Sequence, residues 1–558
     1  MGPRLMPPAP ARRSGRAPLA LAALASLALA LSCADEGLGP RGGVRPPPPK
    51  RPVAAAPLAP KPAPAAPRPA APPAPTAVAS AAAPEPAPAP APAPPPPPRL
   101  LALRKEVSVY AAPDARSPKL GYLRAGAMAE RSKAPVGRKG CSGGWYAVEP
   151  RGYVCAGPAA SIDLEGPIAE LSRRRPERAE GLPYDYVLTT SPAPPFYLRL
   201  PSAAEQRSIE GEIAAPRESR VALASVKPAA GAEASLKGGG GVSALKGGAG
   251  AAAGAEPSPV PEALRDGAVV PSLSPNHYGP GALYEGRALP RTGLALLERF
   301  DWQGRAFGLT TDLLLVPLDR TRPVRPSAFH GLELGGESFA AFVVAKGGDR
   351  LYRREGGRLV ADAPLAYREG VALSGRSERE GGATYLETAD GRFVRDGAHL
   401  RRADPPAAWP AFALEGKKWV DVSIVRQTLV AYEGTKPAFA TLVSTGADGL
   451  GDPEETHSTV RGTFAIRAKH VTATMDSDEL EDRFDLRDVP YVQYFHGGYA
   501  LHAAYWHDGF GAPRSHGCIN LHPTDASWLF RWTDPPVPDD WHGALGGPEG
   551  GTLVHVRP

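Results

Sequence analysis

Leu501–Leu521 reads LHAAYWHDGFGAPRSHGCINL and gathers three histidines (His502, His507, His516), three glycines and one cysteine, Cys518, into a short span. A thiol attacks as its thiolate, so Cys518 needs a base or a positive dipole beside it. Gly517 carries no Cβ and lets the backbone approach a ligand closely. The N–H groups around Gly517 and Cys518 are candidates to stabilise an oxyanion. Working outward, Tyr499-Ala500-Leu501-His502 is strand-like and pairs naturally with Tyr491-Val492-Gln493-Tyr494-Phe495 across His496-Gly497-Gly498. Trp419–Ile424 and Gln427–Tyr432 flank an Arg-containing turn and predict a hairpin. Phe439–Ser444 supplies a third strand, Asp525–Trp532 a single helix and Thr552–Val556 a closing strand. The fold class expected here is mainly β.

His502 followed by a glycine-bearing loop and Ser515-His516-Gly517-Cys518-Ile519-Asn520 resembles the signature of the L,D-transpeptidase catalytic domain of the YkuD type. Ser458–Ile466 is similar to the family's Thr-Pro-x-Gly-x-Phe stretch, with Val460 in place of the proline. The loop from His502 to Ser515 is a little shorter than in many members and reads as a trimmed lid. The resemblance implies a β-sandwich catalytic domain over residues 412–558, with Cys518 as nucleophile forming a thioester and His502 as general base and then acid. The backbone carbonyl of Ala503 would orient His502, and the Gly517 N–H would face the oxyanion. His516 shares a face with Cys518 if that segment is extended, and would assist. Ser515, Asn520, Arg514, Tyr491 and Trp506 are the candidate substrate-binding residues. Of these, Ser515 and Asn520 brace the loop, Arg514 meets a substrate carboxylate, and Tyr491 and Trp506 line the donor groove.

The implied substrate is the peptidoglycan stem peptide. The acyl group of its third residue would leave D-Ala and pass to an amine, giving a 3→3 cross-link or anchoring a protein to the cell wall. Water as acceptor would instead give an L,D-carboxypeptidase, and a non-catalytic wall-binding protein is a third reading. No cofactor and no metal are expected, although His502, His507, His516 and Cys518 together would be acceptable to zinc.

The rest of the 558-residue chain suggests several domains. A formal net charge of +6, without basic runs interleaved with aromatics, argues against nucleic acid and is compatible with an acidic wall. Arg12, Arg13 and Arg16 precede the apolar run Ala17–Leu31, the pattern of an export signal and too short for a membrane span. Ala30-Leu31-Ser32-Cys33 resembles a lipobox, with Ala30 where leucine is usual. This implies export to the periplasm or cell envelope and a lipid anchor on Cys33, with a simply cleaved signal as the alternative. Residues 1–33 are thus a signal segment and 34–99 a disordered Pro/Ala-rich tether.

Residues 100–160 carry GGWYAVEPRGYV, which resembles bacterial SH3-like domains. In an exported chain the bracketing Cys141 and Cys155 are most simply a disulfide, contributing about 3 kcal/mol on the loop-entropy account. Residues 161–228 read as irregular and 229–261 as a flexible Gly/Ala linker. Residues 262–411 form a β-rich accessory region whose second half is again SH3-like. His277 and His330 are expected at the surface or in packing, His457, His470, His522, His542 and His555 in structural roles with a place at the cleft as the alternative for His470, and His507 with Asp508 as a lid pair.

Overall fold

The computed structural model describes residues 96–179, 181–211, 258–273, 278–279, 281–477, 484–548 and 550–558. The signal segment with Cys33, the tether up to residue 95, linker residues 229–257 and His277 lie outside the described residues. The described chain is mainly β, and none of its helices is long and apolar enough to cross a membrane.

The C-terminal domain is built on the hairpin of Lys418–Ser423 with Thr428–Glu433, whose turn ends at Gln427 in left-handed backbone, φ 53°. The buried Gln427 amide locks the turn. It donates to the Ile424 carbonyl at 2.7 Å and to Thr445 Oγ1 at 2.5 Å, and accepts from the Thr445 N–H at 2.9 Å. The sheet runs in the order Leu332–Glu333, Lys436–Leu442, Thr428–Glu433, Lys418–Ser423, Leu553–Arg557, Gly462–Ala465, with Leu553–Arg557 parallel to Lys418–Ser423.

A second layer contains Ala468–Ser477, Phe484–His496, Tyr499–Ala503 and Ile519–Leu521. Side chains alternate across a strand, so Val420, Val422, Leu501, Ala503, Ile519, Leu521, Val554 and Val556 project into one core. Ala526, Leu529 and Phe530 of the helix Pro523–Trp532 join them. Burying each large side chain contributes about 1.5–3 kcal/mol. Lys469 is fully buried and its Nζ donates to the Phe530 and Thr533 carbonyls at 2.6 and 2.7 Å, at the helix C-terminus where cations are favoured.

Preceding segments are woven into this domain. Short strands between Arg99 and Ser161 form one small three-stranded sheet and the end of a larger sheet, around a core that also takes in Trp541. Gly543–Leu545 pairs with Lys119–Leu123 on one side and with Ala468–Ser477 on the other. A Cβ on Gly543 would sit 2.3 Å from the Tyr122 ring, so only glycine permits this junction. Cys141 and Cys155 are disulfide-bonded with Cα atoms 5.8 Å apart.

Residues 161–211 differ from the irregular segment expected. They hold helices Pro167–Leu171 and Ala203–Glu210 and strands Asp185–Thr189 and Pro195–Tyr197. The second helix has a reciprocal capping box between Ser202 and Glu205. Tyr184, Tyr186, Phe196 and Tyr197 are buried in a core shared with residues 264–316. The proline breaks that suggest irregular chain set the ends of short elements instead.

A buried ion pair joins three of these segments. Arg124 Nη1 contacts Asp488 Oδ1, and Asp488 also accepts from Thr311 Oγ1 and Thr472 Oγ1, each at 2.5 Å. Burial alone would raise the Asp488 carboxyl, but the Arg124 charge outweighs it and holds the group well below the usual range.

The accessory β-domain is a single seven-stranded sheet, ordered Arg358–Leu365, Asp349–Glu355, Phe393–Arg395, Ala383–Thr388, Gly370–Glu380, Phe339–Val343, Leu400–Ala403. One face has its own core of Ala341, Val343, Leu351, Leu373 and Val394. Ala340, Phe342 and Ala403 point the other way, into a core shared with Trp419, Leu442, Ala504 and Phe510.

Candidate active site

Tyr499–Ala503 runs antiparallel to Phe484–His496 and parallel to Ile519–Leu521, with His502 opposite Asn520. Leu501, Ala503, Ile519 and Leu521 face the core, so His502 and Asn520 occupy the opposite face. Cys518, two residues before Asn520, packs on that face against the cluster Val489, Val492 and Ala500, as do Trp506 and Tyr494. Trp506 stacks on His502 with ring centroids 5.7 Å apart. Sequence positions 502, 506, 518 and 520 are thereby brought together on one surface.

His502 is 2 % exposed and its Nδ1 lies 3.2 Å from the Ala503 carbonyl. A carbonyl only accepts, so Nδ1 carries the hydrogen and Nε2 holds the lone pair of a base. Burial pushes the imidazole down to about 4, with the Ala503 hydrogen bond acting the other way. Cys518 is half-buried, and its Sγ lies 3.6 Å from the Gly498 carbonyl. Burial pushes its thiol up to about 11, against a backbone hydrogen bond from Ala500. The resting state is therefore a neutral thiol and a neutral imidazole, not the activated thiolate that the sequence suggests.

The loop before Cys518 is held by its own polar groups. Ser515 Oγ donates to the Cys518 carbonyl at 2.5 Å and accepts the Gly517 N–H at 3.1 Å. Thr459 Oγ1 donates to the Gly517 carbonyl at 2.7 Å, and Thr445 takes the N–H groups of Arg514 and Ser515. Gly517 has φ +117°, and a Cβ there would meet the Tyr499 ring at 2.7 Å.

Several expected roles change. The Gly517 N–H is already bound to Ser515, so it is not the free oxyanion donor. The turn at Gly517 breaks the extended backbone that would align His516 with Cys518. His516 is exposed, and its ring meets His457 at 4.8 Å and Phe484 at 5.2 Å. Tyr491 is fully buried with φ +57°; its ring packs on Phe530 and its hydroxyl donates to the Glu177 carbonyl, so it lines no groove. Arg514 is exposed at the loop surface. His470 bonds through Nδ1 with the Tyr122 hydroxyl at 3.0 Å, at the junction with the N-terminal sheets.

Two tyrosines escape the motif reading. Tyr494 stands opposite Ala500 and beside Cys518 on its face, and the Tyr499 ring lies against Gly517; burial raises both hydroxyls, and a thiolate at Cys518 raises them further once it forms. The hairpin register through Ala500 is the signal that finds Tyr494.

Asn520 Nδ2 lies 2.9 Å from His507 Nε2, while Asn520 Oδ1 is buried without a partner. His507 Nδ1 already accepts the Gly509 N–H at 3.1 Å, so the neutral ring carries its hydrogen on Nε2. The hydrogen-bond network therefore assigns the amide the other way round, with His507 Nε2–H donating to Asn520 Oδ1. Among the described residues no group of three or more His, Cys, Asp or Glu is arranged to hold a metal ion.

With this geometry in place, comparison with known proteins is informative. Residues 417–556 match the family model of the YkuD L,D-transpeptidase catalytic domain. The matched stretch contains His502, Cys518 and Asn520. No curated protein matches the chain. Among solved structures, the NMR structure of the catalytic domain from the E. faecium L,D-transpeptidase is 23% identical, with a TM-score of 0.20, covering 25% of this chain and 98% of that one. The L,D-transpeptidase from Stackebrandtia nassauensis is 28% identical, with a TM-score of 0.18; the match covers 25% of this chain and 56% of that one. The L,D-transpeptidase from Mycobacterium smegmatis is 19% identical, with a TM-score of 0.20, covering 43% of this chain and 89% of that one.

Proposed function

We propose that the C-terminal domain is a peptidoglycan L,D-transpeptidase with Cys518 as its nucleophile. The observation that carries this reading is the parallel register that sets His502 against Asn520, with Cys518 on the same face, inside the stretch matched by the family model. His502 Nε2 takes the proton from Cys518 Sγ as sulfur bonds to the carbonyl carbon of the third stem residue. The tetrahedral oxyanion is met by the Cys518 N–H, the Gly517 N–H being spent on Ser515. The C–N bond to D-Ala then breaks and the imidazolium proton passes to the leaving amine, leaving a thioester. An acceptor amine attacks the thioester, loses its proton to His502 and restores the thiol. One amide replaces another, so no ATP is required outside the cell membrane.

Because thiol and imidazole rest neutral, ionisation is coupled to attack: the electrophile under attack, whether an acyl group or an alkylating reagent, draws the proton across. Ser515 and Asn520 hold the loop, Trp506 fixes the face of His502, and Arg514 is placed to meet a substrate carboxylate. The chain acts in the cell envelope, exported by its N-terminal segment and anchored through Cys33. Incubation with a tetrapeptide stem and an added amine tests this: the amine should replace D-Ala on the stem. Release of free tripeptide with no amine capture would make the enzyme a carboxypeptidase.

A further inference from the structure

The loop between His502 and Ser515 is held from outside the catalytic domain. Arg368 sits in the turn before Gly370–Glu380 of the accessory β-domain, in left-handed backbone at φ +65°. Its side chain is only 10% exposed. The guanidinium lies 4.8 Å over the Tyr367 ring and 5.8 Å over Phe329, and forks around Asp508. Nη1 donates to Asp508 Oδ1 at 2.5 Å and Nη2 to the Asp508 carbonyl at 2.6 Å. A bidentate, flanked arginine fixes both position and angle of what it grips. A non-glycine residue in left-handed backbone costs on the order of 1–3 kcal/mol, and persists where its surroundings hold it.

A second arginine of the same domain acts nearby. Arg401 Nη1 donates to the Gly511 carbonyl at 2.9 Å. Phe510, between these two grips, stacks on Phe329 at 5.8 Å within the core shared by the two domains. On its inner side the same loop carries Trp506, stacked on His502, and His507, bonded to Asn520. A continuous chain thus runs from Arg368 through Asp508 and His507 to the strand that follows Cys518.

We propose that the accessory β-domain is a positioning device for the candidate active site, with Arg368 as the positioning residue that holds the Trp506–His507 loop against His502 and Asn520. The inference rests on the reading of Cys518 as the nucleophile. Arg368 touches neither Cys518 nor His502 in this role; it acts through Asp508. Loss of its grip frees the loop, and the imidazole loses its stacked support.

The test uses the full chain and three variants, Arg368→Gln, Arg368→Lys and Asp508→Asn. Iodoacetamide alkylation of Cys518, followed by intact mass from neutral to alkaline pH, reads the thiol's access to its base without any stem peptide. Arg368→Gln and Asp508→Asn should slow alkylation at neutral pH about 10-fold and shift its profile to higher pH, because small displacements of catalytic groups carry large rate costs. Arg368→Lys, which keeps the charge but not the fork, should recover part of the rate. With stem peptide as substrate, kcat should fall while KM stays near the parent value. Profiles that superimpose on the parent for both Arg368→Gln and Asp508→Asn overturn the proposal. If Arg368→Gln unfolds, Asp508→Asn decides, since it leaves the accessory domain untouched. A parent enzyme that alkylates but never turns over stem peptide overturns the transpeptidase reading instead, and the variant profiles still judge the positioning role.

Discussion

Asn520 stands directly across from His502 in a parallel strand pair, and its amide is held by His507 at 2.9 Å. The proposed base is therefore placed by backbone register and flanked by a polar group that is itself fixed. Replacing His502 by glutamine keeps much of the shape but removes the proton carrier. His502→Gln should reduce turnover by about 100- to 10,000-fold while leaving the melting temperature close to the parent's. Steady-state kinetics with parallel thermal melts check this.

Among the described residues His507 is the hydrogen-bond partner of the buried Asn520 side-chain amide, and His507→Ala removes it. The cost should be about 1–3 kcal/mol of stability, from a polar group left unsatisfied. Nitrogen NMR of the parent imidazoles adds a sharper test: His507 should carry its hydrogen on Nε2 and His502 on Nδ1. The opposite tautomer at His507 would restore the other orientation of Asn520.

Gly517→Ala meets two obstacles, a φ of +117° and a Cβ 2.7 Å from the Tyr499 ring. The loop must shift, moving Cys518 with it, and stability should fall by about 1–3 kcal/mol. A Gly517→Ala, Tyr499→Ala double variant relieves the contact but not the backbone strain, so only part of the loss should return. Chemical denaturation and the Cys518 alkylation rate measure the two effects.

Removing the Asp488 carboxylate takes the nearest counter-charge from the buried Arg124 and leaves it Asp312, whose Oδ1 lies 3.5 Å from Nη2. Asp488→Ala should cost about 3 kcal/mol, the low end for a broken buried pair. Equilibrium unfolding in denaturant, followed by circular dichroism, would register the loss.

Acid should destabilise the fold through histidines. Burial pushes His470, His502, His507 and His522 each down to about 4, so the unfolded chain binds their protons first as pH falls below about 6.5. Their stability contribution is complete above that pH and is lost on the way to about 4, on the order of 3 kcal/mol for the fully buried His502 alone. Asp525 and Asp421 oppose them, since burial raises both carboxyls, Asp525 to about 6, and folding then favours their protonated forms as pH falls. Two carboxyls do not offset four imidazoles. Melting temperature should therefore drop across this window, with net proton uptake on unfolding.

How much of this is legible in sequence follows from how local each feature is. His502 lies near the end of one strand and Cys518 immediately precedes its parallel neighbour, so the resemblance of one contiguous stretch to a family signature singles them out. Tyr491 and Tyr494 cannot be sorted that way. The strand Phe484–His496 is covered on both faces and its middle is buried without alternation, and the left-handed residues Asp488 and Tyr491 interrupt its phase. The i, i+2 rule fails at His516 because Gly517 turns the backbone between it and Cys518. The Arg124–Asp488 pair spans 364 residues and the Arg368–Asp508 grip 140, distances over which no periodic pattern connects partners. The tyrosines of 184–197 look unstructured in isolation because their core is completed by strands a hundred residues later.

The central claim is that Cys518 carries the acyl group. Intact mass spectrometry of the parent chain and Cys518→Ala, after incubation with a tetrapeptide stem and no amine acceptor, tests it most directly. The parent should carry a single adduct equal to the stem peptide less D-Ala, mapped to Cys518, and the variant none. An adduct that persists in Cys518→Ala, or D-Ala release by that variant at the parent rate, would contradict it.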